Sequence, residues 1–156
     1  VYAFLVEHDP VKPAFGYRIE YNNRVVVFSG DTRKCENLTR HAEGADILVH
    51  EAFNKQLMDR MLALSQNHPR SDRYYQITIA TAKGVQHYHA SPVEAAEAAA
   101  ASGTKTLVLT HIIPPLGKGL TRRLVTEPLF MAGVDKVYSG NVVLAEDGLT
   151  LSLDVK

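Results

Sequence analysis

The apolar positions of this chain fall into short runs that change in kind along its length. Val1–Val6 reads as a strand ended by His8-Asp9-Pro10, and Phe15–Tyr21 and Arg24–Phe28 read as two more. Asn22-Asn23 lies between the last two and predicts a two-residue hairpin turn, because asparagine tolerates the positive φ such turns need. Glu36–Glu43 has helical spacing and stops at Gly44. Ile47–His50 is a fourth strand, and Lys55–Ser65 is helical, with a Leu57/Met61/Leu64 stripe that reads as core. Asn67–Arg73 is polar, contains Pro69 and reads as a loop; Tyr74–Lys83 reads as a helix weakened by its β-branched residues.

Ser91-Pro92-Val93-Glu94 is a helix start. Serine caps, proline suits the first helical position, and glutamate completes a capping box. The alanine run that follows ends at Ser102-Gly103. Thr106–Thr110 is a strand ending in His111, and Leu120–Ala132 is a helix interrupted at Pro128. Lys136–Tyr138, Val142–Ala145 and Leu149–Val155 read as closing strands, the last two joined at Asp147-Gly148.

Three strands, then alternating helices and strands, then a terminal hairpin describe an α/β sheet with at least one helical layer. Val25–Phe28, Ile47–Val49 and Leu107–Leu109 are apolar without alternation, which implies strands covered on both faces. The few helices can cover one face. The other then needs a missing half or a partner copy, unless the helices split between the faces as in a doubly wound sheet.

Composition narrows the picture only modestly. The chain has 156 residues, enough for one domain or a large part of one, and 46% hydrophobic with 22% charged is ordinary for a globular protein. Its 17 cationic side chains balance its 17 anionic ones, so nothing here favours a nucleic-acid or membrane surface through net charge. The single cysteine, Cys35, allows no internal disulfide, lacks a nearby histidine base and reads as packing. No apolar run is long enough to cross a membrane. The chain opens on Val1 rather than Met, so the true start is expected upstream and the compartment stays open.

Four polar positions fall at or just beyond strand ends: His8, Asp31, His50-Glu51 and His111. Strand ends on one side of an α/β sheet are where sites assemble, and imidazole with carboxylate is the usual nitrogen and oxygen ligand set of zinc. Taken singly, each has an ordinary reading, as a hydrogen-bonding histidine or a turn aspartate.

The wording around them changes that. His8-Asp9-Pro10-Val11-Lys12-Pro13-Ala14-Phe15-Gly16-Tyr17-Arg18-Ile19 resembles the metallo-β-lactamase superfamily, in its ribonuclease Z-like branch. So do Val27-Phe28-Ser29-Gly30-Asp31-Thr32-Arg33 and Ala45-Asp46-Ile47-Leu48-Val49-His50-Glu51-Ala52. Tyr88-His89-Ala90-Ser91-Pro92-Val93-Glu94-Ala95-Ala96 and Leu107-Val108-Leu109-Thr110-His111 follow in the family's order, and the tail from Asn141 looks like its closing strands.

The resemblance implies the C-terminal half of an αββα sandwich, a mixed sheet with helices on its outer face. It implies that His8 ligates a first metal, that Asp31 bridges two metals and that His111 ligates the second. His89 matches the histidine that binds the scissile phosphate and acts as general acid. His50 and Glu51 would orient a ligand by hydrogen bonding. The cofactors would be two divalent metals, zinc ahead of manganese or iron.

The family's H-x-H-x-D-H motif is absent. His87-x-His89 is the only H-x-H, and Ala90-Ser91 follows it, so His87 reads as a loop residue. The expectation is a single half domain over 1–156, holding part of a site for hydrolysis of an ester, phosphodiester or lactone, poorly active alone. Its partner would be the complementary N-terminal half, or a second copy covering the inner sheet face. The competing reading is a non-catalytic interaction module that kept the fold without the metals. His41, His68 and the Arg122-Arg123 pair read as surface, and Tyr74-Tyr75 as a possible pocket wall.

Overall fold

The computed structural model describes residues 1–64, 76, 80, 82–116 and 126–153. The expected 67–73 loop, His68, Tyr74-Tyr75, Arg122-Arg123 and the start of the 120–132 helix lie outside them, as do the side chains of Met61 and Leu64.

Six strands form one sheet in chain order: β1 (Tyr2–Val6), β2 (Ala14–Tyr21), β3 (Arg24–Phe28), β4 (Ile47–Phe53), β5 (Thr106–Ile113) and β6 (Asn141–Leu144). The first three pair antiparallel; β3 to β6 pair parallel. The β2–β3 turn is the asparagine hairpin, with φ of 47° at Asn22 and 56° at Asn23. Parallel neighbours need crossovers. Helix α1 (Glu36–His41) crosses from β3 to β4. Helices α2 (Lys55–Leu64) and α3 (Pro92–Ser102) lie between β4 and β5, and α4 (Glu127–Phe130) and α5 (Val134–Val137) between β5 and β6.

Helix α3 starts and stops as its sequence dictates. The Ser91 side chain accepts from the Glu94 amide, Glu94 accepts from the Ser91 amide, and Gly103 ends the helix at φ 64°. Its alanines allow close approach to the sheet: Ala95, Ala96 and Ala99 are buried with Leu48, Leu107 and Leu109. Phe4, Val6 and Val27 of the sheet, Leu38 and Ala42 of the α1 region, Leu57 of α2, and Phe130 and Val134 complete this core. The described helices therefore share one face, and the doubly wound alternative is not what forms.

The opposite face is different. Leu5, Phe15, Tyr17 and Phe28 share it by register and are all exposed, between 39% and 58%. Residues 145–153 run across its other half, forming with Val26, Ile47, Val49 and Val108 the walls of a shallow cavity. Part of the cover expected from elsewhere thus comes from the chain's own tail.

Three expectations are corrected. Lys136–Tyr138 is not a strand: Val134–Val137 is a helical turn, and only Tyr138 is extended. Leu149–Leu153 forms no ladder, its alternating leucines lying against the sheet face instead of pairing at its edge. His41 is not a free surface residue: its ring stacks on Phe4 at 4.2 Å and its Nδ1 bonds the Asn37 carbonyl at 2.8 Å. Cys35 is buried, as packing requires.

At the starting end of β4, Asp46 is 6% exposed and fully engaged. It accepts from the Val25 amide at 2.9 Å, from Lys105 Nζ at 2.6 Å and from Arg24 at 3.3 Å. The Lys105 hydrogen bond, then the Val25 amide, hold its pKa down to about 2. The carboxylate ties β3, β4 and β5 together at that end.

Candidate metal centre

The finishing ends of the same strands gather the other polar residues. The loop after β3 is fixed first. Gly30 has φ 61°, and a Cβ there would collide with the Phe15 carbonyl, so the turn that presents Asp31 requires glycine. Ser29 is buried; its hydroxyl donates to the Gly30 carbonyl at 2.6 Å and accepts from the Glu51 amide at 3.0 Å. Thr32 is buried beside it, its hydroxyl accepting from the Glu7 amide at 3.1 Å. These two hydroxyls flank Asp31 and link its loop to β4 and to the end of β1, where His8 follows Glu7. Neither hydroxyl has a role legible in the sequence, because a serine or threonine flanking Gly-Asp looks like any turn residue.

Glu51 is the hub. It is 1% exposed, and its Oε1 accepts from three donors: His89 Nδ1 at 2.7 Å, the Thr32 amide at 3.0 Å and the Ala90 amide at 3.3 Å. One carboxylate oxygen therefore joins the Asp31 loop to the His89 loop. Its neighbour His50 takes the other side of the strand. It is fully buried, bonds only the Glu51 carbonyl through Nδ1 at 2.7 Å, and touches none of His8, Asp31, His89 or His111 by hydrogen bond. Burial pushes its pKa down, so it is held neutral.

His111 reaches the site through a bulge. Glu51 pairs with Thr110, but Ala52 pairs with Ile112, so His111 is an extra residue on β5. Its φ is 46°, a left-handed conformation that costs a non-glycine residue about 1 kcal/mol or more. Strict alternation would have sent this side chain to the helix-covered face with Leu109; the bulge re-aims it. Its Nε2 lies 3.7 Å from Asp31 Oδ2, both side chains being 45% exposed.

His89 sits in the middle. Its ring centroid is 5.2 Å from that of His8, 5.6 Å from His111, 5.0 Å from Tyr88 and 6.0 Å from Phe53. Tyr88 also meets His8 edge-on at 4.7 Å. Ligand atoms of His8, Asp31 and His89 lie within 4.8 Å of one another, and so do those of Glu51, His89 and His111. Three buried atoms, His8 Nε2, Glu51 Oε2 and His50 Nε2, have no hydrogen-bond partner among the described residues; the first two belong to this cluster, the third does not. An orphaned imidazole nitrogen beside a half-exposed carboxylate and further imidazoles fits a divalent metal of the zinc, manganese or iron type.

The structure thus brings His8, Asp31, His89, His111 and Glu51 together and leaves His50 outside the cluster. The unsatisfied atoms contrast with Asp46, whose partners are complete.

The sequence profile described as the beta-lactamase superfamily domain matches residues 3–112, from β1 into β5. A ribonuclease Z of Mycobacterium tuberculosis (strain ATCC 25177 / H37Ra) is 37% identical over 141 residues, covering 90% of this chain and 44% of that protein. Among solved structures, the metallo-beta-lactamase fold protein YhfI from Bacillus subtilis superposes with a TM-score of 0.60 at 22% identity, over 94% of this chain and 46% of that one. Human tRNase Z, short form, gives a TM-score of 0.55 at 23% identity, over 97% of this chain and 41% of that one. The chain spans about half the length of the curated relatives it matches. No helix among the described residues is long and apolar enough to cross a membrane.

Proposed function

The chain belongs to the β-lactamase superfamily, in its ribonuclease Z-like branch, and from that membership we propose that it is half of a metal-dependent phosphodiesterase centre. The observation that carries this reading is the convergence of His8, Asp31, His89 and His111 at one end of the sheet, with Glu51 holding His89. In this reading His8 and Asp31 hold one divalent metal, and Asp31 and His111 hold a second. Such metals supply Lewis-acid polarisation of the phosphoryl group and a water of lowered pKa. Structural and catalytic zinc sites take three or four protein ligands, so the sphere needs the complementary H-x-H-x-D-H half.

The chain's own residues do the rest. Glu51 accepts from Nδ1 of His89, which orients the ring and fixes one proton on Nδ1; Nε2 donates only in the doubly protonated ring. In this reading His89 is the general acid for the leaving oxygen, and Phe53 and Tyr88 pack its ring in place. The exposed apolar face of Leu5, Phe15, Tyr17 and Phe28 is the surface on which the complementary half would pack.

The test joins this chain to an H-x-H-x-D-H half, loads zinc and follows hydrolysis of bis(p-nitrophenyl) phosphate. Asp31→Ala is expected to abolish turnover without changing the folded state. Turnover that survives this substitution would refute the reading.

A further inference from the structure

His89 belongs to both sets of converging ligand atoms, with His8 and Asp31 in one and with Glu51 and His111 in the other. We propose that this chain, without its complementary half, holds a single divalent metal on His8, Asp31 and His89, and that completion of the centre releases His89 to act as the acid. The inference rests on the two-metal reading above and changes the place of one residue, since His89 ligates neither metal there.

Three observations favour this set. The first is the carboxylate behind the ring. Glu51 Oε1 accepts from His89 Nδ1 at 2.7 Å, and both side chains are buried. Metal-bound imidazoles nearly always give their other N–H to a carboxylate, carbonyl or water in this way, which fixes the tautomer. In the neutral ring Nε2 is then a bare lone pair, the nitrogen that His89 has left to offer. The second is His8 Nε2, which is buried and has no hydrogen-bond partner among the described residues. The third is ring geometry. Two imidazoles on one zinc-type ion, at about 2.0–2.1 Å and a near-tetrahedral angle, bring their ring centroids to about 5 Å. Those of His8 and His89 are 5.2 Å apart, with their planes at 79°.

The other set fits less well. His89 and His111 are stacked with planes only 23° apart, so their in-plane lone pairs run side by side and converge poorly. Glu51 Oε1 already has three donors, and a metal between it and His89 Nδ1 would break the hydrogen bond that joins them. The His8 set leaves that bond in place. Three protein ligands are the lower limit of such sites, and Asp31 is half-exposed, so the hold is weak.

The consequence is self-inhibition. With Nδ1 on Glu51 and Nε2 on the metal, His89 has no proton to give a leaving oxygen. When the H-x-H-x-D-H half arrives, one of its nitrogens replaces His89 on the metal, and Nε2 then takes a proton from solvent. The metal keeps its charge throughout.

Zinc titrations of the lone chain and of the chain joined to its H-x-H-x-D-H half test this, read by calorimetry and by imidazole nitrogen NMR. In the lone chain one zinc should bind, more weakly than micromolar, and should shift the Nε2 resonances of His8 and His89 but not that of His111. His89→Asn keeps a side-chain N–H for Glu51 and removes Nε2. It should weaken zinc at least about tenfold in the lone chain and less than about twofold in the joined protein. His111→Asn, which tolerates the positive φ, should do the reverse. The proposal is overturned if zinc leaves the His89 resonances of the unsubstituted lone chain unmoved. It is overturned equally if His111→Asn costs the lone chain as much as His89→Asn, or if His89→Asn costs both forms the same. A joined protein that takes up no second zinc would instead take down the two-metal reading, and the release of His89 with it.

Discussion

The two ends of β4 carry the same kinds of residue and treat them oppositely. At the start, Asp46 is buried and meets an amide and two cations, so every charge is answered within the chain. At the finish, Glu51 is just as buried, yet only one of its oxygens is bonded; the other, His8 Nε2 and His50 Nε2 have no partner among the described residues. Asp31 and His111 stand 3.7 Å apart and half-exposed. A polar group that is buried and fully paired contributes to folding, whereas one that is buried and unpaired costs it about 1–3 kcal/mol. The strand therefore concentrates its stabilising electrostatics at one end and its unsatisfied groups at the other, where a ligand can satisfy Glu51 and His8 but not His50.

Substitutions at the two ends should separate these roles. The largest effect is expected from Glu51→Gln in the zinc-loaded, complemented protein. The amide keeps an acceptor oxygen but holds the His89 ring through a weaker, uncharged hydrogen bond, so kcat should fall about a hundredfold while the melting temperature moves little. An unchanged kcat would place Glu51 outside the chemistry.

Asp46→Asn should do the reverse, costing about 1–2 kcal/mol of stability with metal binding intact. The acid limb sharpens this. Asp46 has a folded pKa below its ordinary 3.8, so its contribution is present above pH 3.8 and is lost as pH falls toward about 2. His50 acts earlier: with its folded pKa below the ordinary 6.5, the unfolded chain takes the proton first, and stability begins to fall as pH drops below 6.5. Urea midpoints across pH should show both steps, and Asp46→Asn should erase only the lower one.

The smallest effect, and the most diagnostic in sign, is at His111. Glycine relieves the left-handed φ of 46°, so His111→Gly should stabilise the fold by about 1 kcal/mol while weakening metal binding. A destabilised variant would show that the bulge is held by His111 packing and not imposed on it.

Much of the fold was legible because local chemistry and tertiary structure agree. The Asn22-Asn23 turn, the Ser91 box and the Gly103 stop are each decided within a few residues. The failures lie where one pattern serves two structures. Val134 and Val137, three apart, suit a helical turn, and with Val134 buried under α3 the packing chose it. Leu149, Leu151 and Leu153 alternate as a strand would, but the apolar sheet face captures them without a ladder.

The candidate site was legible as a set of residue types and motifs, less so as geometry. His8, Asp31, His89 and His111 were named from the order of their motifs, and they do converge. The bulge that aims His111 was invisible, because a bulge is a mismatch between two strands and not a property of either. His50 and Glu51 were grouped because they adjoin, yet alternation sends them to opposite sides. The roles of Ser29 and Thr32 depend on Glu51 arriving from β4, which no spacing within their own loop reveals.

Half of a two-metal site should bind metal poorly until the other half completes it. Calorimetric titration of zinc into the chain alone, and into the chain joined to its H-x-H-x-D-H half, tests it directly. Weak binding alone and tight binding of two metals after joining are the predicted results. Submicromolar, stoichiometric binding by the chain alone would contradict it.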